Sequence, residues 1–327
     1  MKDYRLALLL IGLVVIVILG SGIYIYSEKN TATSVQEINI KKVKKTKNKD
    51  LVPASATNAA CVGGRLVETA SWSMPDELFE ISSIAWLGKD KIAAVQDQKG
   101  IIYVYDLASK KVVKRINFGN DGDYEGIAFA GGHFFVMRSD GYMFEVEQSG
   151  KVLKEYDLPL TAKDNTEPFY YDAAKNRMLI GQKDGEKGLA SKSFFAFDLT
   201  TKKFNPKPVY SIDLKDNIVS CGSVTAVDPG KGKKSGKKKN SKGNANIRPS
   251  EIVIDPKSGN ILVADGPGQR ILVLSPEGKP KYYLSMDKNS FPQVEGMLFT
   301  PSGEFYISTE GAKGQAAKIS KVRVELY

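Results

Sequence analysis

Acidic residues recur at one place in a pattern that repeats along the chain. Glu125, Glu167 and Glu295 each precede a short apolar run, in EGIAF, EPFYY and EGMLF. Glu80 and Asp123 stand two residues before the same position in two copies of the pattern. Carboxylates held close together repel one another, so a cation stabilises them. These five residues are candidate metal ligands, and calcium suits them because it takes several hard oxygens in flexible geometry.

A structural alternative to the metal site stays open at this point. Each glutamate would then accept main-chain N–H bonds from a neighbouring repeat and would only lock the repeats together. The run from Asp121 to Glu125 resembles the start of a calcium loop but lacks the glycine and final glutamate of an EF-hand. Glu251 directly follows its repeat position, so its side chain is predicted to point away from the set.

The repeated pattern predicts a β-propeller. After Glu125, Gly-containing turns separate short apolar runs at 127–130, 133–138, 142–147 and 152–158. Four-stranded units of ~40–50 residues cannot bury both faces alone and stack in a ring as propeller blades. The aligned positions before each first strand are Ser82, Glu125, Glu167, Ser250 and Glu295. The predicted fold is all-β, a five-bladed β-propeller of four-stranded antiparallel blades preceded by one N-terminal transmembrane helix.

The two ends of the chain are predicted to share one blade. The last copy of the pattern offers strands at 296–300, 305–309 and about 318–326, and the sequence then stops. Residues 66–74 precede the first copy and can supply the missing outer strand. Pairing of the two ends removes the open sheet edges and closes the ring.

The second strands of the blades supply further candidate site residues. An antiparallel second strand ends at the mouth of the channel where the first strands begin. Its final residue is therefore predicted to line that mouth. The candidate ligand-binding residues are Asp97, Arg138, Lys183, Asp265 and Glu310.

The N-terminal part of the chain predicts a membrane anchor. Residues 6–26 carry no charge over 21 positions, which is long enough to span a bilayer as a helix. A cleaved signal peptide is the alternative, but the usual cleavage pattern is lacking. Residues 1–5 are predicted to be cytoplasmic and 27–60 to form a flexible stalk. Residues 61–327 would then form the propeller on the extracytoplasmic side of the inner (plasma) membrane.

The chain has two cysteines, Cys61 at the end of the stalk and Cys221 after the third blade. An extracytoplasmic location permits a disulfide between them, and two separate thiols are the alternative. Neither cysteine lies in a CxxC motif, so thiol redox catalysis is not indicated.

Basic charge is concentrated in two tracts. The formal net charge is +10, with six lysines in 41–49 and seven in 231–242. These tracts contain no arginine or aromatic residue, so they predict solvated loops and no nucleic-acid site. The second tract lies in a predicted disordered insertion at about 229–247. Anionic surface polymers or lipid head groups are the functional alternative.

Several chemistries are excluded or disfavoured by composition. His133 is the single histidine of the chain. A zinc site built from several histidines and a haem with paired histidines are therefore excluded, and a His-dependent triad is disfavoured. The glycines in 261–269 lie between strands, so they predict hairpin turns and no phosphate loop.

Several blocks of the sequence resemble the SdiA-regulated (YjiK-like) family. They are EISSIAW, AVQDQKGIIYVYDL, INFGNDGDYEGIAF, VMRSDG and FPQVEGMLFTPSGEFYISTEG. The resemblance covers about residues 65–327 and implies a five-bladed propeller distantly related to NHL repeats. It also implies an N-terminal membrane segment, an extracytoplasmic domain and, in some members, a calcium site. The acidic positions of the family match Glu80, Glu125, Glu167 and Glu295, whereas Ser250 occupies the fourth repeat position.

The function predicted from the sequence is a calcium-binding platform for a ligand or protein at the cell envelope, without enzymatic activity. The alternative is a calcium-dependent phosphoesterase of the phytase-like type. In that case the metal would generate a nucleophilic water, and Arg138 and Lys183 would hold the phosphate. A third hypothesis makes the ring a scaffold with purely structural glutamates.

Overall fold

The computed structural model describes residues 61–184, 190–221 and 247–327, and two short strands nearer the N-terminus. Those strands are β1 (Ile16–Ile18) and β2 (Ile23–Ile25), which pair antiparallel. The predicted 1–5 segment, the stalk and most of the basic insertion lie outside the described residues.

The transmembrane helix predicted at 6–26 is not supported by the described residues. Most of this segment lies outside them, and its two described pieces are the strands β1 and β2. Both pieces consist of Ile, Val and Tyr, whose branched or aromatic side chains favour extended backbone. In the parts of the chain that the structure describes, no helix has the length and apolar character needed to cross a membrane.

Three of the sheets have four antiparallel strands each, in sequence order. The first contains β4 (Ile81–Gly88), β5 (Lys91–Gln96), β6 (Ile101–Asp106) and β7 (Lys111–Asn117). The second contains β8 (Tyr124–Ala130), β9 (His133–Arg138), β10 (Tyr142–Val146) and β11 (Val152–Asp157). The third contains β12 (Thr166–Asp172), β13 (Arg177–Gln182), β14 (Ser191–Asp198) and β15 (Lys203–Asp213), and the short helix α1 (Asn217–Ser220) follows it.

The fourth sheet has eight strands and joins the two ends of the described region. Its first half contains β16 (Pro249–Ile254), β17 (Ile261–Asp265), β18 (Arg270–Leu274) and β19 (Pro280–Ser285). Its second half contains β3 (Val62–Ser73), β22 (Lys318–Leu326), β21 (Phe305–Thr309) and β20 (Val294–Phe299), in that spatial order. The outer strand predicted at 66–74 is thus confirmed as β3, which pairs antiparallel with β22. The start of β3 also pairs parallel with β19 and fuses the two halves.

The first strands of the four-stranded units pack against one another in a closed cycle. β4 packs against β8, β8 against β12, β12 against β16, β16 against β20, and β20 returns to β4. These strands are buried along most of their length, whereas the outer strands β7 and β11 are largely exposed. The sequence follows this gradient, because a strand covered on both faces is apolar throughout and an edge strand carries lysines. The architecture is propeller-like, with the core between neighbouring sheets.

Close packing around the axis depends on small residues in the first strands. A Cβ atom added at Gly126 would lie 2.4 Å from the Cβ of Phe169 on the next first strand. The hairpin from β8 to β9 turns through Gly131 and Gly132, which have φ of +58° and +83°. Glycine adopts such values without the steric cost that other residues incur.

A disulfide joins Cys61 to Cys221, with their Cα atoms 5.9 Å apart. It therefore connects the residue before β3 to the residue after α1. The buried Arg270 guanidinium donates from Nη1 to the carbonyl oxygens of Val219 (2.8 Å) and Cys221. Of the two alternatives that the sequence left open, the structure contains the disulfide.

Replacement of Cys61 and Cys221 by serine is expected to lower the free energy of unfolding by about 2–4 kcal/mol. The bridge closes a loop with a sequence separation of 160 residues, so its loss releases a large part of the unfolded chain. Urea unfolding of the wild type and the double serine variant, each with and without reductant, measures the effect. Reductant should destabilise only the wild type, and equal midpoints in all four samples would contradict the prediction.

Candidate functional site

Each first strand carries a β-bulge at the repeat position found in the sequence. The register with the second strand shifts between Ile81 and Ser83, between Tyr124 and Gly126, and at the matching places in the other units. A bulge adds one residue to a strand and redirects its side chain. The residues at these shifts are Ser82, Glu125, Glu167, Ser250 and Glu295.

Lys183 lies among the bulge glutamates at this end of the channel, which we call the ionic mouth. Its Nζ contacts Glu167 Oε2 and lies 3.9 Å from Glu295 Oε2. Burial lowers the pKa of Lys183, but the negative charges of Glu295 and Glu167 together raise it by more. The net pKa is therefore raised, and the ammonium stays charged. Lys183 therefore supplies positive charge that stabilises these two carboxylates.

The bulge glutamates also hold protons more strongly than isolated carboxyls do. Burial raises the pKa of Glu125, and the charges of Glu167, Asp123 and Glu295 raise it further. Burial likewise raises the pKa values of Glu167 and Glu295, against the opposing effect of Lys183. One lysine thus leaves part of the carboxylate repulsion uncompensated.

Four further carboxyls of the ionic mouth raise one another's pKa values through their charges. Burial, followed by Glu80 and Asp123, raises the pKa of Asp97 to about 6. Burial, followed by Glu295 and Asp97, raises the pKa of Glu310 to about 7. Asp97 Oδ1 is buried without a hydrogen-bond partner among the described residues. We call Glu80, Asp97, Asp123 and Glu310 the acidic arc.

Polar side chains fix the positions of several of these carboxyls. Gln98 Nε2 donates to Glu80 Oε2 (2.7 Å), and Ser139 Oγ donates to Asp123 Oδ2 (2.5 Å). Asn165 Nδ2 donates to Glu167 Oε1 (3.0 Å), and Gln293 Nε2 donates to Glu295 Oε1 (2.9 Å). Amide and hydroxyl side chains near the strand ends therefore orient the acids.

Two of the predicted ligand-binding residues form pairs of their own. Arg138 donates to both carboxylate oxygens of Asp140 (2.8 and 3.0 Å), with its guanidinium 4.6 Å from the Tyr142 ring centre. Asp265 is buried and accepts from Arg270 Nε at 3.0 Å. Both lie at strand ends as predicted, but neither interacts with the cluster around Lys183.

Arg248 is a cation that sequence analysis did not single out. Its guanidinium binds both oxygens of Asp184, at 3.0 and 2.9 Å. Its charge also lowers the pKa values of Glu167 and Glu295. Arg248 immediately precedes β16, so its position equals that of residues that enter the mouth in other repeats. This position within the repeat could have identified Arg248 from the sequence alone.

Glu251 was also not among the site residues predicted from the sequence. It points away from the ionic mouth as predicted, but into the packed centre of the ring. Oε1 accepts from the main-chain N–H groups of Phe169 and Ile252 (both 2.9 Å), and Ser83 Oγ lies 3.0 Å from Oε2. These contacts connect β16 with β12 and β4. Burial raises the pKa of Glu251 well above its ordinary value, against the opposing effect of the hydrogen bonds from Phe169, Ile252 and Ser83.

The fit to a metal ion differs between the two sides of the mouth. Within the described residues, no three or more His, Cys, Asp or Glu side chains converge closely enough to hold a metal ion. On one side, Lys183 stands where a metal would meet Glu167 and Glu295. The acidic arc offers hard oxygens, including the unpartnered Asp97 Oδ1, which fit calcium chemically if water completes the coordination.

No protein-family profile and no curated protein matches the chain significantly. Among solved structures, it is similar to a Myxococcus xanthus glutaminyl cyclase, with 10% identity, a TM-score of 0.56 and coverage of 82% of this chain and 99% of that chain. A luciferin-regenerating enzyme matches with 15% identity, coverage of 79% and 97%, and a TM-score of 0.46. A streptogramin B lyase matches with 13% identity, coverage of 81% and 99%, and a TM-score of 0.44. At such identities, the likeness to the cyclase shows a propeller-like fold alone.

Replacement of Glu251 by alanine is expected to destabilise the protein by about 3 kcal/mol or more, because two buried N–H groups lose their acceptor. Glutamine should cost less than about 1 kcal/mol, since its carbonyl oxygen can accept from the same two N–H groups. Denaturant unfolding of the two variants measures the difference. The exposed Glu155→Ala serves as control, and equal losses for glutamine and alanine would contradict the role of the carbonyl acceptor.

With a chelator present, the melting temperature is expected to fall as the pH rises from about 6 to about 9. The folded-state pKa values of Glu310, Glu125 and Glu167 are raised, so their contribution to stability is complete below pH ~4.5 and is lost as the pH passes the folded values.

Glu125→Gln should raise the melting temperature at pH ~9 by about 2–4 °C and flatten this decline. Calorimetric melts across the pH range measure both effects. The exposed Asp157→Asn is the matched control and should leave the curve unchanged. A lower melting temperature for Glu125→Gln at high pH would contradict the prediction.

Proposed function

We propose that the chain is a membrane-anchored β-propeller whose ionic mouth binds a ligand or partner protein at the cell envelope. The observation that carries the proposal is the imbalance of charge at this mouth. Lys183 and Arg248 are surrounded by a larger set of carboxyls: Glu80, Asp97, Asp123, Glu125, Glu167, Glu295 and Glu310. Buried repulsion of this kind costs stability, and a cationic ligand at the mouth would relieve it.

The proposed ring has five blades. The three four-stranded sheets provide three blades, and the eight-stranded sheet provides two that share the seam between β3 and β19. The closed cycle of first-strand contacts supports this number. The resemblance to the SdiA-regulated family remains part of the proposal and rests on the sequence blocks that carry it.

The proposed location is the extracytoplasmic side of the plasma membrane. The disulfide between Cys61 and Cys221 supports it, because such bonds persist in oxidising compartments. The uncharged stretch 6–26 is the proposed anchor, on the strength of its length and composition. The propeller would then face the envelope, where the calcium concentration is high enough for weak sites.

The proposed calcium site lies at the acidic arc. Asp97, Glu80 and Asp123 repel one another, and no lysine charge acts on Asp97. Lys183 is instead paired with Glu167 and lies near Glu295. With few protein oxygens and several waters, such a site resembles extracellular modules with a Kd on the order of 0.1–1 mM. When bound, calcium would neutralise the arc and present open coordination positions to an anionic group.

Binding is favoured over the phosphoesterase alternative. A phosphate needs unengaged cations at the site. Arg138 is held by both oxygens of Asp140, and Lys183 is held by Glu167. The two cations assigned to phosphate are therefore already neutralised, and the glutaminyl cyclase and lyase activities of the structural neighbours are not carried over.

Calcium titration of the full chain in mild detergent, by calorimetry and thermal melting, tests the proposal. We expect saturable binding near one equivalent and a higher melting temperature, because the ion relieves the repulsion among Glu80, Asp97 and Asp123. Asp97→Asn with Asp123→Asn should abolish both effects.

Asp157→Asn, an exposed carboxyl on β11, is the control and should leave binding intact. Loss of binding only in Glu125→Gln with Glu167→Gln would move the site to the Lys183 side. A melting curve that is identical in calcium and in chelator, together with no heat of binding, would overturn the calcium proposal.

A further inference from the structure

The other end of the channel, where the first strands finish, holds an apolar cavity of about 310 Å³. Residues from the second halves of β4, β8, β12 and β20 form its wall, together with residues that follow β12, β16 and β20. Its aromatic residues are Trp86, Phe129, Phe169, Tyr170, Tyr171 and Phe299. We call this end the aromatic mouth, and it shares no lining residue with the ionic mouth.

The aromatic mouth offers no charge to a ligand. None of the residues that line it is an acid or a base. Its tyrosine hydroxyls bond elsewhere, since Tyr171 donates to Asn176 Oδ1 (3.1 Å) and Tyr170 donates to the Ile254 carbonyl (3.4 Å). A charged ligand would lose its hydration without gaining a partner, so the cavity selects uncharged molecules.

The rings of the aromatic mouth are held by other aromatic residues behind them. Phe299 stacks on Phe305 with 4.4 Å between ring centres, and Phe129 packs on Phe134 at 5.0 Å. Trp86 stacks on Tyr306 of the neighbouring unit at 6.0 Å. Walls that are already ordered do not lose side-chain entropy when a ligand enters, which favours binding.

The volume of the cavity limits the size of the ligand. At about 310 Å³ it lies at the lower end of the range for small-molecule sites. At the packing density of protein interiors, it holds roughly 15–20 non-hydrogen atoms, which corresponds to two or three rings. Flat rings match walls made of Phe, Tyr and Trp faces, because offset and edge-to-face contacts add to the burial of apolar area.

We propose that the aromatic mouth binds an uncharged, ring-containing small molecule of this size. The site is independent of calcium and of the ionic mouth, because none of the carboxyls discussed above lines it. A propeller of this kind has two chemically distinct ends on one axis, one for cations and one for a neutral apolar ligand.

The two tryptophans of the chain make a direct test possible. Trp86 lines the cavity, whereas Trp72 lies on β3 and donates from Nε1 to the Leu107 carbonyl (2.9 Å). In the full-length Trp72→Phe protein, Trp86 is the single tryptophan. Titration with N-phenylnaphthylamine, an uncharged fluorescent probe, should quench Trp86 saturably at one probe per chain.

Phe129→Ala, made in the Trp72→Phe background, should weaken binding of the probe by at least about tenfold, because it removes one wall of the cavity. Phe195→Ala in the same background is the matched control. Phe195 is also half-buried and packs on an aromatic residue, Phe204 at 5.5 Å, but it does not line the cavity. All variants are measured in the same detergent, so partition of the probe into micelles is common to them.

Anilinonaphthalene sulfonate, which carries the same rings and a negative charge, should bind at least about tenfold more weakly than the neutral probe. Equal affinities of the two probes would overturn the selection for uncharged ligands. Absence of Trp86 quenching, or equal quenching in Phe129→Ala and its parent, would overturn the site itself. A Trp86 spectrum that changes with protein concentration alone would show that a second copy covers this mouth, which also overturns the proposal.

Discussion

The buried carboxyl of Glu251 is the interaction on which the centre of the ring depends. It accepts two main-chain N–H groups and meets Ser83 Oγ, so it connects the first strands β16, β12 and β4. An ionised carboxylate is costly at this depth, and burial accordingly raises the pKa of Glu251. Around it the first strands come so close that Gly126 has no room for a Cβ atom.

The two mouths differ because each first strand has a polar start and an apolar finish. The bulge at its start turns an acidic or small residue toward the ionic mouth. Four residues after the bulge position, the strand places an aromatic residue at the cavity, as Trp86, Phe129 and Phe299 show. One repeated strand pattern therefore builds a site for charge and a site for apolar rings on the same axis.

Electrostatics at the ionic mouth are unevenly distributed. Lys183 compensates Glu167 and Glu295, and Arg248 adds positive charge beside them while it binds Asp184. In the acidic arc, Lys183 acts only on Glu310 and does not offset burial and carboxylate repulsion, so the pKa values of Asp97 and Glu310 stay raised. Cation binding and protonation both relieve the repulsion among these carboxyls, so they compete with each other. The ionic mouth is therefore sensitive to both pH and ions.

The sequence by itself determined the repeat, its strands and the closure of the ring. Alternation, glycine turns and the spacing of Glu125 from its counterparts are local signals, and β3 and β22 pair as predicted. Tertiary structure decided the partners: Lys183 between two glutamates, Arg138 with Asp140, Arg270 with Asp265, and Cys61 with Cys221. It also revealed Glu251 and the aromatic mouth. Sequence spacing places a residue at a strand end, but only the packing of neighbouring strands decides where its side chain points and which charge it meets.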